Sequence, residues 1–279
     1  MLSRRTLLAG SALWAGLQGH HASAEPAPGL DGQLAELERQ SGGTIGVAIL
    51  DAGSGTVAGH RLDAAFPLCS THKILSAAYV LARAESGKDR LDRRIAYGPE
   101  AVLSYAPVTK QHVGAGMTLD ALCAAAVTVS DNTGANLLLA SFGGPEALTA
   151  YLRSLGDPVT RLDRTEPTLN EAKPGDPRDT TTPRAMAALV RTIVLGPALS
   201  EASRTRLQGW MVGCQTGLRK IRAGVPADWR AGDKTGSGER HASNDVAVLW
   251  RPGRSPLVVA AYTIDTAGDD ASRDALFAA

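Results

Sequence analysis

The stretch Cys69-Ser-Thr-His-Lys73 places a hydroxyl and an amine three residues apart, immediately before a run of apolar residues with helical spacing. In a helix, residues i and i+3 lie on one face about one turn apart, so the Lys73 amine would reach the Ser70 hydroxyl. A serine hydroxyl is a weak nucleophile until a neighbouring base takes its proton. The pair therefore indicates nucleophilic catalysis, although an S-x-x-K spacing occurs about once by chance in a chain of this length.

Two further motifs could complete a serine acyl-transfer site. Ser130-Asp-Asn132 stands between two predicted helices, where the motif taken alone favours a plain helix N-cap. Lys234-Thr-Gly236 lies on a predicted strand; its lysine could simply oppose aggregation at a strand edge, whereas Gly236 would let a ligand lie against the backbone. Each motif occurs by chance in well under about a tenth of chains this long, so both in this order favour a site.

A carboxylate and an amide, Glu166 and Asn170, stand four residues apart inside a long aperiodic segment, residues 161–182. This segment is rich in Pro, Gly, Asp and Arg. A loop of that length inside a compact domain is usually functional. We expect the two side chains to hold a water molecule between them.

The hydrophobic pattern predicts an α+β fold. Strands are predicted over residues 44–51, 56–62, 231–236, 245–251 and 257–265. Helices are predicted over residues 30–40, 70–87, 119–129, 133–141, from about 146 onward, 183–195 and 271–279. Strands at both ends with helices between them indicate one antiparallel sheet and an inserted all-α domain. The predicted domains are therefore 25–62 with 218–279 (α/β) and 63–217 (all-α), with the active site in the cleft between them.

Composition excludes several other functions. A formal net charge of +1 without any block of Lys or Arg gives no support to a nucleic-acid partner. The six histidines are scattered and show no ligand spacing, so neither a metal nor another cofactor is expected. The three cysteines leave at least one thiol unpaired within the chain, so a disulfide framework does not hold this protein together.

Residues 1–24 have the features of a cleavable export signal. Arg4-Arg5 precedes an apolar stretch to about Leu17, and Ala22-Ser-Ala24 fits a cleavage site. The paired arginines favour the twin-arginine route, with an ordinary Sec signal as the alternative. The stretch is too short for a retained membrane anchor. The expected location is the periplasm, or the medium where the host lacks an outer membrane.

The motifs sit within longer stretches that resemble class A serine β-lactamases. These stretches are residues 66–71, 129–133, 162–172, 174–183, 210–211, 216–217, 221–226, 229 and 232–238. The resemblance implies a β-lactamase/transpeptidase-like fold, with a five-stranded antiparallel sheet flanked by terminal helices. It also implies a monomer that hydrolyses penicillins and cephalosporins and confers resistance to these small-molecule substrates.

The resemblance also implies a division of roles. Ser70 would be acylated, its proton passing to Lys73 or, through a water, to Glu166; the sequence leaves this choice open. The backbone N–H groups of Ser70 and Ser237 would form the oxyanion hole, and Ser130 would relay a proton to the leaving nitrogen. Substrate contacts are implied for Tyr105, Asn132, Lys234, Thr235, Gly236 and Ser237.

Further implied roles concern the loop and the substrate carboxylate. Glu166 and Asn170 would position the water that hydrolyses the acyl-enzyme. Arg164 and Asp179 would pair across the neck of the loop. Arg273, ranked ahead of Lys220, would supply an extra cation for the carboxylate, because arginine offers a bidentate fork that lysine lacks.

Departures from the family pattern qualify these expectations. Many relatives bridge Cys123 to the position of Ala77, and carbapenem-hydrolysing relatives often bridge Cys69 to the position of Gly238. We therefore expect no disulfide and little carbapenem hydrolysis. The chain ends before the closing helix of relatives usually does, which is expected to affect stability more than chemistry. The alternatives are a D,D-peptidase and a β-lactam-binding sensor of the same superfamily; the Glu166 loop and the cleavable signal argue against them.

Overall fold

The computed structural model describes residues 29–279, so the export signal predicted in residues 1–24 lies outside the described part. The strands in chain order are β1 (Thr44–Asp51), β2 (Val57–His60), β3 (Phe66–Pro67), β4 (Arg94–Ile95), β5 (Met117–Thr118), β6 (Thr180–Thr181), β7 (Arg230–Ser237), β8 (Ser243–Trp250) and β9 (Leu257–Ile264). Five of them form one antiparallel sheet in the order β2-β1-β9-β8-β7. The five predicted strands and the antiparallel sheet built from both ends of the chain are confirmed.

The helices are α1 (Leu30–Ser41), α2 (His72–Glu85), α3 (Leu119–Thr128), α4 (Asn132–Phe142), α5 (Gly144–Ser154), α6 (Pro183–Val190), α7 (Glu201–Val212), α8 (Ile221–Gly224) and α9 (Asp270–Ala278). Helix α2 lies at the centre of the helical region and contacts α3, α4, α5 and α7. Its residues are buried almost continuously from His72 to Leu81. Burial on all sides is typical of a helix in the core of a domain. The nucleophile is thus anchored to the most enclosed element of the helical region.

Both faces of the sheet are covered because successive side chains of a strand point to opposite faces. In β9, Val259 and Ala261 face a cluster that includes residues of α1 and α9. Val258 and Ala260 face the larger core shared with the helical region. The sheet is therefore the middle layer of the fold, with the helical region packed on one face and the terminal helices on the other.

Two parts of the helical region differ from the predicted pattern. The helix predicted over 183–195 is α-helical only to Val190, and Arg191–Leu195 continue as a π-helical turn. Helix α7 was not predicted, since it buries few side chains, namely Ser203, Leu207 and Met211. Its position is set by tertiary packing against β7, where a Cβ at Gly232 would lie 3.0 Å from the backbone nitrogen of Val212.

Short strands close the long loop against the segment that precedes Ser70. β3 pairs antiparallel with β6, and Leu68 N donates to the carbonyl oxygen of Asp179 at 2.8 Å. The sheet approaches this pair so closely that a Cβ at Gly46 would lie 2.3 Å from Phe66 Cε2. The end of the loop is thereby fixed next to the nucleophile.

Cys69, Cys123 and Cys214 are buried free thiols. Burial raises the pKa of Cys69 to about 12, so this thiol beside the nucleophile stays protonated. A Cβ at Gly238 would lie 2.8 Å from Cys69 Sγ, so position 238 does face Cys69.

Along residues 29–279, no helix has the length and apolar character needed to cross a membrane.

Candidate active site

Ser70 lies in a tight turn, Cys69–Thr71, that leads directly into α2. Cys69 has a φ of 44°, an uncommon backbone conformation for a residue with a side chain. Lys73 Nζ donates to Ser70 Oγ at 2.9 Å. Ser70 is 8% exposed and Lys73 is fully buried. The spacing of three residues thus places the amine next to the hydroxyl in an enclosed site.

The loop before α4 brings Ser130 and Asn132 to the same amine. Lys73 Nζ lies 3.2 Å from Ser130 Oγ and 2.6 Å from Asn132 Oδ1. Ser130 has a φ of 60°, in the left-handed region, so its backbone carbonyl also accepts from Lys73 Nζ at 2.9 Å. The motif does include a helix N-cap, Asp131, and also supplies functional groups to the cleft.

Asp131 holds this loop in place, a role that sequence reasoning did not assign to it. Its carboxylate accepts from the backbone nitrogens of Val108, Thr109 and Gly134 at 2.8–3.0 Å, and from Thr109 Oγ1 at 2.8 Å. These donors lie in two segments that are far apart in the sequence, residues 108–109 and the first turn of α4. This fully buried anchor fixes Ser130 and Asn132 against α2.

Strand β7 supplies the second lysine. Lys234 is fully buried, and its Nζ donates to Ser130 Oγ at 3.0 Å and to the carbonyl oxygen of Thr235 at 2.8 Å. Ser130 Oγ therefore lies between two amines. Gly236 is required by packing, since a Cβ there would lie 3.1 Å from Cys69 Cβ and 3.2 Å from the carbonyl oxygen of Leu68. Strand β7 thus passes directly behind the nucleophile turn.

Glu166 reaches the site from the long loop. Its Oε1 lies 3.0 Å from Lys73 Nζ and accepts from Ser70 Oγ at 3.3 Å. Asn170 Nδ2 donates to its Oε2 at 2.6 Å. Asn136 of α4 makes two hydrogen bonds to the Glu166 backbone. Its Oδ1 accepts from the Glu166 nitrogen and its Nδ2 donates to the Glu166 carbonyl oxygen, each at 2.9 Å. Nothing in the local sequence indicated this role for Asn136, because its partner is distant in the chain.

Burial and charge set the protonation of these groups. Burial lowers the pKa of Lys73 to about 8, against the opposing effect of the Glu166 carboxylate. Burial by itself raises the pKa of Glu166, but neighbouring His72 and Lys73 outweigh it and hold this pKa well below its usual range. Burial also lowers the pKa of Lys234. At neutral pH Glu166 is thus ionised, whereas the pKa of Lys73, about 8, lies only slightly above that pH.

The neck of the loop is held by a buried ion pair. Arg164 Nε donates to Asp179 Oδ2 at 2.5 Å, and Asp179 Oδ1 accepts from the backbone nitrogens of Asp163 and Arg164 at 2.7 and 2.9 Å. Arg164 Nη1 also donates to Glu171 Oε2 at 2.7 Å. The Asp179 side chain is 1% exposed. One carboxylate thus connects both ends of the segment that carries Glu166.

The variant Asp179→Asn is expected to lower the free energy of unfolding by about 3 kcal/mol, the lower end of the cost of breaking a buried ion pair, because it removes the buried charge beside Arg164 Nε and leaves Glu171 as the hydrogen-bonded carboxylate of that guanidinium. Turnover should fall as well, since the loop then no longer holds Glu166. Chemical denaturation and steady-state kinetics measure the two effects. The control is Asp63→Asn, in an exposed pair with Arg184 at 2.8 Å, which should leave stability nearly unchanged. Equal stability losses for both variants would contradict the role of Asp179.

A cleft of about 470 Å³ between the sheet and the helical region is lined by Ser70, Ser130, Asn132 and Asn170. The buried groups Lys73, Lys234 and Glu166 contact these lining residues from behind. Tyr105 forms part of the cleft wall and is 49% exposed. Thr235, Gly236 and Ser237 line the side formed by β7. Thr216, which sequence reasoning missed, bonds to Thr235 through their hydroxyls at 2.6 Å.

Both candidate cations for a substrate carboxylate also line the cleft, in different surroundings. Lys220 Nζ donates to Ser243 Oγ at 2.5 Å, lies 3.2 Å from Asp274 Oδ1 and stacks over the ring of Phe277. Arg273 instead donates to the carbonyl oxygen of Gly268 and to Asp270, near the start of its own helix. Ser243 is paired with Ser237 in the sheet register, so Lys220 contacts a residue directly beside the β7 edge of the cleft.

Comparisons with known proteins agree with this geometry. The profile of the β-lactamase enzyme family matches residues 29–279. β-Lactamase CTX-M-8 of Citrobacter amalonaticus is 47% identical over 248 residues, covering 88% of this chain and 85% of that protein. β-Lactamase OXY-2 of Klebsiella oxytoca is 43% identical over 273 residues, covering 98% and 91%.

Solved structures give the same result. A mutant of the class A β-lactamase of the last common ancestor of Gram-negative bacteria superposes with a TM-score of 0.89 at 60% identity, covering 90% of this chain and 95% of that one. The structure described as the putative class A β-lactamase PenP from Rhodopseudomonas palustris gives a TM-score of 0.88 at 53% identity, covering 89% and 95%. The fold implied by the sequence resemblance is therefore confirmed.

Proposed function

The chain belongs to the β-lactamase enzyme family, among its class A members, and hydrolyses β-lactams; on this premise we propose that it opens the rings of penicillins and cephalosporins through an acyl-enzyme on Ser70. This activity supports resistance to these antibiotics. The observation that carries the proposal is the position of Glu166, with its carboxylate beside both Ser70 and Lys73.

Acylation uses the groups around Ser70. Ser70 Oγ attacks the β-lactam carbonyl carbon while its proton passes to Lys73, at 2.9 Å, or through a water to Glu166. The negative charge on the carbonyl oxygen is stabilised by the backbone N–H groups of Ser70 and Ser237; losing one such donor typically costs about 10²–10³-fold in rate. The C–N bond breaks, and Ser130, placed between Lys73 and Lys234, passes a proton to the ring nitrogen.

Deacylation uses the other side of Glu166. A water gives its proton to the Glu166 carboxylate as its oxygen bonds to the acyl carbon. The bond from that carbon to Ser70 Oγ then breaks, and the proton returns to the serine. Asn170 Oδ1, a buried atom without a hydrogen-bond partner among residues 29–279, is available to accept from this water.

Glu166 also separates this proposal from the alternatives of a D,D-peptidase or a β-lactam sensor. Both use a serine and lysines to become acylated, and both then stall. The test is turnover of benzylpenicillin and a chromogenic cephalosporin by the mature chain, residues 25–279, with intact-mass spectrometry during the reaction. We expect many turnovers and a transient adduct. A single acylation followed by a stall would overturn the proposal, and an imipenem arm tests the expected weakness toward carbapenems.

The contacts within the cleft favour Lys220 over Arg273 as the cation that supports the substrate carboxylate. Lys220 is bonded to Ser243, the sheet partner of Ser237, whereas Arg273 is bonded within its own turn. This reverses the order implied by the family resemblance, which ranked Arg273 ahead of Lys220. The reason lies in the tertiary structure. The paired N–H groups of an arginine bind a carboxylate better than a lysine amine does only where they point toward that carboxylate.

Lys220→Ala is accordingly expected to raise KM for benzylpenicillin by about tenfold or more, the effect of losing a charged hydrogen bond. Arg273→Ala should raise it less. The conservative variant Lys220→Arg should retain most of the affinity. Steady-state kinetics of the three variants decide the assignment, and a larger KM increase for Arg273→Ala would reverse it.

We further propose that the protein is exported by the twin-arginine route, matures by removal of residues 1–24 and acts as a monomer in the periplasm. The paired arginines and the Ala22-Ser-Ala24 site support the first two statements. Fractionation of a Gram-negative host expressing the full chain, with Arg4→Lys and Arg5→Lys together as the blocked variant, tests the route. Light scattering of the purified chain tests the oligomeric state.

A further inference from the structure

His72 stands between the nucleophile and its lysine in the sequence, and its ring is fully buried. Nδ1 lies 3.2 Å from Ser76 Oγ, one turn further along α2. Nε2 lies 3.8 Å from Glu166 Oε1 and has no hydrogen-bond partner among residues 29–279. A buried polar atom without a partner costs free energy, so its retention requires an explanation. The charged group that this atom faces is the catalytic carboxylate.

The surroundings of the ring assign its tautomer. The contact between Nδ1 and the Ser76 hydroxyl suits either tautomer, so the Glu166 carboxylate beside Nε2 decides the assignment: Nε2 carries the proton, and the Ser76 hydroxyl then donates to Nδ1. The opposite tautomer would aim a nitrogen lone pair at the Glu166 carboxylate, which is repulsive. Burial lowers the pKa of His72, so the ring is neutral at neutral pH. His72 therefore presents an N–H group, without a positive charge, to Glu166.

The charged and titratable groups around His72 come from four elements. Lys73 is on the same helix, Glu166 is on the loop, Lys234 is on β7 and Cys69 is in the turn before α2. Both lysines disfavour a protonated ring, and the Cys69 thiol is protonated. Glu166 is thus the negatively charged group that Nε2 faces, at 3.8 Å.

We propose that His72 is a positioning residue whose Nε2–H orients Glu166 during deacylation, an inference that rests on the proposed role of Glu166. Before acylation, Ser70 Oγ donates to Glu166 Oε1 at 3.3 Å. Once Ser70 is an ester it has no proton to donate, so Oε1 loses this partner and keeps the Lys73 amine at 3.0 Å. His72 Nε2–H then replaces the serine donor and keeps the carboxylate aimed at the water. Catalytic hydrogen bonds are often long in unliganded enzymes and shorten in the reacting complex.

Three substitutions separate this role from packing. His72→Phe keeps an aromatic ring but removes both nitrogens, His72→Asn keeps a group near Nδ1, and His72→Gln places an amide N–H near Nε2. Stopped-flow acylation and the decay of the acyl-enzyme, followed by intact mass, give the two rate constants separately. We expect His72→Phe to slow deacylation about tenfold, as for loss of one hydrogen bond, with acylation nearly unchanged.

His72→Gln should restore most of the deacylation rate, and His72→Asn should not. Deacylation by His72→Phe at the wild-type rate, or equal losses for Phe and Gln at matched melting temperatures, would overturn the proposal. NMR of the ¹⁵N-labelled free enzyme, assigned with His72→Phe, provides a readout independent of turnover. The Nε2–H tautomer is expected; an Nδ1–H tautomer would overturn the proposal even if the wild type hydrolysed no β-lactam. That absence of turnover would count against the proposed function alone.

Discussion

Replacing Glu166 with alanine is expected to leave one acyl group covalently attached to each molecule and to reduce turnover of a good substrate by about 10²–10⁴-fold, the usual contribution of a general base. The physical reason is that Ser70 retains Lys73 at 2.9 Å as a partner for acylation. The variant removes the carboxylate to which Asn170 donates at 2.6 Å, and this carboxylate is the group proposed to activate the deacylating water. Intact-mass spectrometry should show an adduct with the mass of the whole substrate.

The folded state of this variant must be checked, because Glu166 is the negative partner of a buried lysine. Burial lowers the pKa of Lys73 to about 8 in the wild type, against the raising effect of Glu166, so removal of Glu166 should lower this pKa further. Lys73 can then release its proton, and the fold should persist. Far-UV circular dichroism and a thermal melt test this. The control is Glu36→Gln, an exposed carboxylate on α1, which should turn over normally. Wild-type turnover by Glu166→Ala would contradict the hydrolytic mechanism.

Replacing Lys73 with alanine is expected to have a comparably large effect at the earlier step. Lys73 Nζ contacts Ser70, Ser130, Asn132 and Glu166, so its removal deprives the nucleophile of its nearest base and the site of its central cation. The acylation rate should fall by about 10²–10⁴-fold. Burst kinetics with a chromogenic cephalosporin measure this rate directly.

The pH dependence of acylation decides which group takes the Ser70 proton. The pKa of Lys73 is lowered to about 8, so the fraction of neutral amine rises as the pH increases through 8. If Lys73 is the base, acylation by the wild type rises over this range, and Lys73→Arg is inactive because arginine stays protonated. The shorter distance to Ser70, 2.9 Å against 3.3 Å for Glu166, favours this outcome. Acylation that falls as the pH increases through 8, with partial activity in Lys73→Arg, would assign the base to Glu166.

Much of the fold could be predicted from the sequence because its signals are local. The five sheet strands follow from short β-rich runs bounded by turn residues, and α2 follows from apolar residues repeated at three and four. Helix α7 could not be predicted because its buried stripe is narrow. Its position depends on contact with β7, and such tertiary contacts override local propensity.

The sequence alone determined which residue types could perform the chemistry. Ser70 and Lys73 meet because a helix brings residues three apart onto one face, and a short motif suffices to specify that. It also indicated that Glu166, rather than the serine, separates a hydrolase from an enzyme that stalls. These conclusions needed only residue identity, spacing and the family resemblance.

Only the tertiary structure decided how these residues meet. Glu166 lies 96 positions from Ser70 in an aperiodic loop, and its placement depends on the pairing of β3 with β6, on Asn136 and on the Arg164–Asp179 pair. The roles proposed for Lys220 and His72 rest likewise on contacts between distant segments. Contacts between distant segments leave no periodic trace in the chain, so burial and hydrogen-bond geometry become visible only once it is folded.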